Sequence, residues 1–143
     1  PRTPQTPFSI VGDAGAAHRI AEVARRLGTE RTLVVHGDGV DELPLDGSGV
    51  IHDVSPAGVI RTEVDPAALG LAIAPLAALA GGTAAENAAL MEAILGGTDR
   101  GPRRDVVLLN AAAAFVAAGA ALVRAARSRS WASSGALIST SSD

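Results

Sequence analysis

Apolar and polar positions in the first part of the chain follow first a strand pattern and then a helical one. Phe8-Ser-Ile-Val11 is a short β-prone run. Residues 14–27 carry apolar side chains at helical spacing with charged residues opposite, and Gly28 stands where a helix C-cap glycine belongs. Thr32–Val35 is a continuous apolar run, typical of a strand buried on both faces. Strand, helix and strand predict a βαβ unit, so we expect an α/β fold containing part of a mostly parallel sheet with flanking helices.

The chain then changes character and predicts a hairpin. Val50–Val54 and Val59–Val64 flank Ser55-Pro-Ala-Gly58, whose proline and glycine stand where a type I turn prefers them. This arrangement indicates a β-hairpin at a sheet edge. Asp65-Pro66 follows as a predicted N-cap with proline at the first helical position, which opens a short helix ending at Leu69.

Two further helices are predicted towards the carboxyl end. Thr83 and Glu86 have the spacing of a capping box and start the first of them. Its apolar side is formed by Leu90, Met91, Ile94 and Leu95. Pro102 opens the last long helix, whose apolar residues run from Val106 to Val123.

Serine dominates the final segment, with seven serines and one threonine between Ser128 and Ser142. Such a composition favours a frayed or disordered terminus. We therefore divide the chain into an α/β portion, residues 1–127, and a serine-rich tail, residues 128–143.

Composition limits the classes of function. The 143 residues suffice for one domain, and 48% of them are apolar, which permits a packed core. The 12 basic residues are all arginine and face 15 acids, giving a net charge of -3, whereas nucleic-acid binders normally carry a basic face. Aromatic residues make up only 2%, too few for base-stacking platforms. We expect no nucleic-acid partner.

The absence of cysteine excludes disulfides and thiolate sites and fits a cytoplasmic protein. No basic-then-apolar leader is visible, so no secretory signal is expected. The stretch from Val106 to Val123 is rich in alanine and interrupted by Asn110, which favours a buried helix over a membrane span.

The segment with the strongest chemical character is His36-Gly-Asp-Gly-Val-Asp-Glu42. It follows the buried strand directly and therefore lies where open α/β sheets bind ligands. On a loop, the carboxylates of Asp41 and Glu42 can converge as hard oxygen ligands for Mg²⁺. The alternative is that the segment is only a solvated acidic turn. We assign Asp38 to the turn and not to the metal ligands. The segment has neither the ligand spacing of an EF-hand nor the lysine of a P-loop.

Other polar residues favour structural roles. His36 at a strand end is more often a buried, hydrogen-bonded residue than a general base. Arg103 and Arg104 lie near a helix start, where a solvated or salt-bridged pair is expected more often than an anion site. No Ser-His-Asp arrangement can be argued from the sequence.

Taken together, several segments resemble anthranilate phosphoribosyltransferases. The segment His36–Leu43 is similar to the H-G-x-G-x-D-E segment of that family. The other matching segments, in the family's order, are Pro66-Ala-Ala-Leu-Gly-Leu71, Gly81-Gly-Thr-Ala-Ala-Glu-Asn-Ala88, Leu95-Gly-Gly97 and Gly101-Pro-Arg-Arg-Asp-Val-Val-Leu-Leu-Asn-Ala111. The resemblance covers roughly residues 1–127.

The resemblance implies a nucleoside phosphorylase/phosphoribosyltransferase-like fold with a helical domain and a larger α/β domain, and a homodimer formed through the helical domain. It implies transfer of the phosphoribosyl group of phosphoribosyl pyrophosphate to the amine of anthranilate, a step of tryptophan biosynthesis that releases pyrophosphate. It also implies Mg²⁺ as the cofactor, with Asp41 and Glu42 as metal ligands.

The chain departs from the family in what it lacks. The family's Gly-Thr-Gly-Gly-Asp phosphate loop, its Lys-His-Gly-Asn segment and the arginine that holds the anthranilate carboxylate are absent. We therefore expect a carboxyl-terminal fragment that is inactive alone. Two alternatives stay open: a pyrimidine-nucleoside phosphorylase-like enzyme, and a non-catalytic nucleic-acid-binding relative of the transferase.

Overall fold

The computed structural model describes residues 8–119 together with residues 122–123 and 138–139. Its elements in chain order are β1 (Phe8–Ile10), α1 (Ala14–Arg26), β2 (Thr32–His36), β3 (Val50–Ser55), β4 (Gly58–Glu63), α2 (Ala84–Leu95), α3 (Pro102–Ala117), β5 (Leu122–Val123) and β6 (Ile138–Ser139). Single 3-10 turns at Ala67–Leu69 and Leu76–Leu79 connect β4 to α2. Apart from β6, the predicted serine-rich tail, residues 128–143, lies outside the described residues.

Four strands form one mixed sheet in the order β1-β2-β3-β4. β1 and β2 are parallel, with Phe8 opposite Leu33, whereas β2, β3 and β4 pair antiparallel. The α/β class, the βαβ unit and the edge hairpin are confirmed. The described part of the sheet is mixed and not mostly parallel as expected, because the hairpin that follows β2 after residues 37–49 supplies two antiparallel pairs out of three. β5 and β6 form a separate antiparallel pair.

β2 lies between two layers of helix and is buried along its whole length. Leu33 and Val35 pack on one side in the main core, together with Leu109 and Ala113 of α3. Val34 of β2 and Val54 of β3 pack on the other side of the sheet, against the buried alanines Ala17, Ala21 and Ala24 of α1. The small side chains of α1 let the helix pack closely on the sheet.

α1 begins and ends as its sequence predicts. The Asp13 side chain accepts a hydrogen bond from the Ala16 N–H at 2.6 Å and so caps the first turn. After Arg26, the chain leaves the helix through Gly28, whose φ of 71° lies in the left-handed region that glycine tolerates. The helix is thus fixed directly beyond the carboxyl end of β1.

α2 has the predicted capping box but little burial. Thr83 and Glu86 bond reciprocally, and these hydrogen bonds lower the pKa of Glu86. No residue of α2 is buried, and Met91 and Leu95 remain 60% and 78% exposed. Leu90 and Ile94 are half-buried, so the described residues cover the predicted apolar side of this helix only in part.

α3 is shorter than predicted. The expected helix through Val123 is wrong, since α3 ends at Ala117 and β5 includes Val123. Gly119 has a φ of 70° and ends the helix in the left-handed conformation. Apolar residues continue beyond this glycine, so the sequence pattern did not indicate that the helix ends there. Among the described residues, no helix is long and apolar enough to cross a membrane.

Candidate functional site

The acidic loop, residues 36–48, leaves the sheet at the carboxyl end of β2. The parallel ladder extends one residue beyond β1, because the Val11 N–H donates to the Val35 carbonyl at 3.0 Å. A Cβ placed on Gly12 would lie 3.8 Å from the Cβ of Asp41, so the loop after β1 and the acidic loop are in contact distance. The two strand ends therefore meet at one edge, where open α/β sheets bind ligands.

Glycine allows the loop to turn back tightly. The Gly37 N–H donates to the Val40 carbonyl at 3.1 Å, and Gly39 has a φ of 73°. A Cβ on Gly37 would come within 2.6 Å of the Pro44 ring and 2.8 Å of Val40. Position 37 therefore excludes every other residue unless the loop shifts.

Asp38 belongs to a hydrogen-bonded turn, in agreement with its assignment. Its backbone N–H donates to the Ser48 hydroxyl at 3.0 Å, and that hydroxyl donates to Asp46 Oδ1 at 2.7 Å. These contacts connect the start and the end of the acidic loop and leave the Asp38 side chain exposed.

Asp41 and Glu42 form the acid pair of the site. Asp41 is exposed and Glu42 is half-buried. Partial burial raises the pKa of Glu42, and the negative charge of Asp41 raises it further. Within residues 8–119, neither carboxylate forms a salt bridge. The pair therefore carries negative charge that these residues leave uncompensated.

Two carboxylates limit the kind of metal site that the loop can form. Among the described residues, no group of three histidine or acidic side chains is arranged to hold a metal ion. Mg²⁺ nevertheless suits the pair, because it is usually held by one or two carboxylates, waters and substrate phosphates. The donor set thus fits a metal shared with a phosphate-bearing ligand and does not fit an all-protein cage.

The chain directly after the acid pair is anchored in the core. Leu43, Pro44 and Leu45 are fully buried. The Asn110 side chain of α3 accepts a hydrogen bond from the Leu43 N–H and donates one to the Leu43 carbonyl, both at 2.9 Å. In the sequence, Asn110 interrupts an apolar stretch and lies in a segment that resembles the family, but neither feature predicts its contact with Leu43. That lone amide in an alanine-rich helix was the available signal.

The three histidines of the chain lie together on the α1 side of the sheet. His36 is 7% exposed, and its ring stacks on that of His52 at 5.8 Å between centroids, with His18 of α1 at 6.3 Å from His52. Burial lowers the pKa of His52, and electrostatic interactions with the neighbouring His36, Arg61 and His18 lower it further. This packing favours the structural interpretation of His36.

The arginines at the start of α3 make contacts within the protein. Arg104 pairs with Asp105 at 3.3 Å, and Arg103 donates to the Ala80 carbonyl at 3.1 Å. Both contacts agree with the preference for a structural pair over an anion site.

Comparison with protein families extends these observations to most of the chain. Residues 4–133 match the glycosyl transferase family, a/b domain. The chain belongs to this family. Its membership agrees with a sheet whose carboxyl edge carries the acidic loop.

Curated relatives within the family support the predicted resemblance. The anthranilate phosphoribosyltransferase of Chloroflexus aggregans is 53% identical over 114 residues, and that of Herpetosiphon aurantiacus is 46% identical over the same length. Each match covers 77% of this chain and 34% of the relative. The resemblance to anthranilate phosphoribosyltransferases is confirmed, and the chain spans about a third of the length of these relatives.

Solved structures give the same result for the fold. Anthranilate phosphoribosyltransferase from Saccharomyces cerevisiae in complex with PRPP and Mg superposes with a TM-score of 0.68 at 26% identity. The match covers 78% of this chain and 33% of the yeast chain. The same yeast enzyme in complex with 4-fluoroanthranilate has a TM-score of 0.69 at 24% identity, which supports the fold alone.

Proposed function

We propose that this chain is part of an anthranilate phosphoribosyltransferase and contributes the metal-binding acid pair to its active site. The observation that carries the proposal is the position of Asp41 and Glu42, uncompensated within the described residues, at the carboxyl end of parallel strands. Relatives about half identical to the chain bear this enzyme's name. The substrates are phosphoribosyl pyrophosphate and anthranilate, and the cofactor is Mg²⁺.

Asp41 and Glu42 would hold the Mg²⁺ ion together with the pyrophosphate of the substrate. When bound, the ion supplies charge stabilisation to the leaving pyrophosphate oxygens without a proton transfer. The chain's own contribution is to keep two carboxylates close together at one edge of the sheet. The buried segment Leu43–Leu45 fixes the backbone that follows them.

The acidic loop is arranged for positioning and not for covalent catalysis. His36 is stacked on His52 beneath α1. Besides His36, the loop offers carboxylates, backbone groups and the Ser48 hydroxyl, which donates a hydrogen bond to Asp46. We therefore assign no protein nucleophile. Rate enhancement then rests on preorganised electrostatics and orientation.

The assignment also sets the organisation of the complete protein. Residues 1–127 form the carboxyl-terminal part of the α/β domain, and residues 128–143 form a serine-rich tail. The remaining substrate contacts and the helical domain that forms the homodimer come from sequence outside this chain. The complete enzyme acts in the cytoplasm, without a nucleic-acid or membrane partner.

A product assay tests the activity. The complete protein, given phosphoribosyl pyrophosphate and anthranilate, should form the phosphoribosyl product only with Mg²⁺ and lose this activity on chelation. The 143-residue chain alone should not exceed the reaction without enzyme, because preorganised contacts from the rest of the protein cannot be replaced by water. A complete protein that forms no product refutes the proposed transfer, and Mg²⁺-dependent turnover by the chain alone refutes its incompleteness.

A further inference from the structure

Asn110 makes the side-chain link between α3 and the acidic loop. It lies mid-helix, between the buried residues Leu109 and Ala113, which pack in the main core. Its amide oxygen accepts from the Leu43 N–H and its amide nitrogen donates to the Leu43 carbonyl, each at 2.9 Å. A single side chain therefore satisfies both backbone groups of one loop residue that is 67 positions away.

A third hydrogen bond fixes the orientation of this amide. The second N–H of Asn110 donates to the Val106 carbonyl, one helical turn earlier, at 3.0 Å. Both donors of the side chain and its acceptor are thus engaged. Rotation of the amide by half a turn would place its oxygen against two carbonyls, so only one orientation is stable.

The contact resembles a strand pair. In an antiparallel ladder, one residue exchanges an N–H and a C=O bond with the residue opposite, and here the amide of Asn110 takes the place of that residue. Leu43 comes directly after Glu42, so the pairing fixes the backbone at the end of the acid pair. Displacing the loop would leave two backbone groups of a residue that is 1% exposed without partners.

We propose that Asn110 is a positioning residue, whose amide holds the Leu43 backbone so that Asp41 and Glu42 keep one arrangement for the metal and the substrate pyrophosphate. This role rests on the proposed function. It assigns to α3 a part in the site although the helix supplies no ligand.

A second asparagine provides a matched control. Asn87 of α2 makes the same two-way contact with the backbone of Gly82, at 2.8 Å and 3.2 Å, but this contact is exposed and local. Asn87→Leu removes an equivalent pair of hydrogen bonds without altering the acidic loop.

The test compares Asn110→Leu with Asn87→Leu in the complete protein. Hydrogen exchange measures protection of the Leu43 N–H, and calorimetry measures Mg²⁺ binding in the presence of phosphoribosyl pyrophosphate. Asn110→Leu should lose the protection at Leu43 and bind Mg²⁺ about tenfold more weakly, as is typical when the support of a metal ligand is removed. Asn87→Leu should leave both readouts at the wild-type level. If Asn110→Leu does not fold, Asn110→Asp, which keeps the acceptor but loses the donors, is measured instead.

Each outcome decides the inference. Unchanged protection at Leu43 overturns it, and so does lost protection with unchanged Mg²⁺ binding, which would make Asn110 purely structural. A wild-type protein that binds no Mg²⁺ under these conditions overturns both the metal site and the role of Asn110. A wild-type protein that binds Mg²⁺ but forms no product overturns the proposed activity alone, and the variants then still decide the role of Asn110.

Discussion

The two ends of β2 differ in whether their charged side chains are paired. At the amino end, Arg31 donates to both carboxylate oxygens of Asp53, at 3.0 Å and 2.7 Å, and to the Val116 carbonyl of α3 at 3.2 Å. The charges of Arg31 and Asp53 are paired there, and the hydrogen bond to Asp53 raises the pKa of Arg31. At the carboxyl end, Asp41 and Glu42 form no salt bridge with residues 8–119.

This difference distinguishes an end of the strand that stabilises the fold from an end that is suited to bind a ligand. Both ends are linked to α3, by Arg31 at one end and by Asn110 at the other. The helix therefore supports the whole strand, but only the carboxyl end keeps unneutralised acids on a glycine-containing loop. We expect changes at the amino end to alter stability alone.

The largest expected change in the free energy of unfolding comes from Gly37→Ala. The added methyl would meet the Pro44 ring at 2.6 Å, and crowding of this kind typically costs about 1–3 kcal/mol. Gly12→Ala, at the neighbouring loop, adds a methyl in ordinary contact with Asp41 and should cost less. Urea unfolding measures both variants, and equal midpoints would show that the close approach at Gly37 is unimportant.

Arg31→Met sharpens the comparison from the other end of β2. It removes a bidentate pair that is a third exposed and should cost roughly 1 kcal/mol, while the Mg²⁺ requirement stays at the wild-type value. Arg61→Met serves as the control, because its pair with Glu63 is more exposed and should contribute less. A changed Mg²⁺ requirement in Arg31→Met would contradict the separation of the two ends.

The smallest expected effect is a pH dependence of stability that arises from His52. Burial lowers the pKa of His52 below its ordinary value of 6.5, so the unfolded chain binds a proton before the folded one does. This contribution to the free energy of unfolding is fully present above pH 6.5. It is lost as the pH falls from 6.5 through the lowered pKa of His52. Unfolding measured across this window should show a shallower decline for His52→Phe. An unchanged decline would assign the pH dependence to other groups.

Features encoded by neighbouring residues could be predicted from the sequence. The apolar run of β2, the Ser55–Gly58 turn and the Thr83–Glu86 capping box are local patterns, and each is present in the structure. The end of α3 was missed because Gly119 lies among alanines, which extend the apolar pattern on both sides. The glycine conformation, and not the side-chain periodicity, ends that helix.

The candidate site was predicted only in its local part. The acid pair and the turn glycines are adjacent in sequence, whereas the contact between Asn110 and Leu43 joins residues 67 positions apart. The grouping of all three histidines likewise depends on strand register, which places His52 opposite Val34. Tertiary contacts of this kind leave no short-range signal beyond an isolated polar residue in an apolar stretch.

The Mg²⁺ dependence of turnover in carboxylate variants of the complete protein tests the central claim most directly. Asp41→Asn and Glu42→Gln keep shape and remove charge, and each should lower turnover at fixed Mg²⁺ by about a hundredfold with little change in stability. Asp38→Asn should matter less, and Asp53→Asn should lower stability while leaving the Mg²⁺ requirement intact. If Asp41→Asn and Glu42→Gln retain wild-type turnover and Mg²⁺ requirement, the carboxyl end of β2 is only an acidic turn.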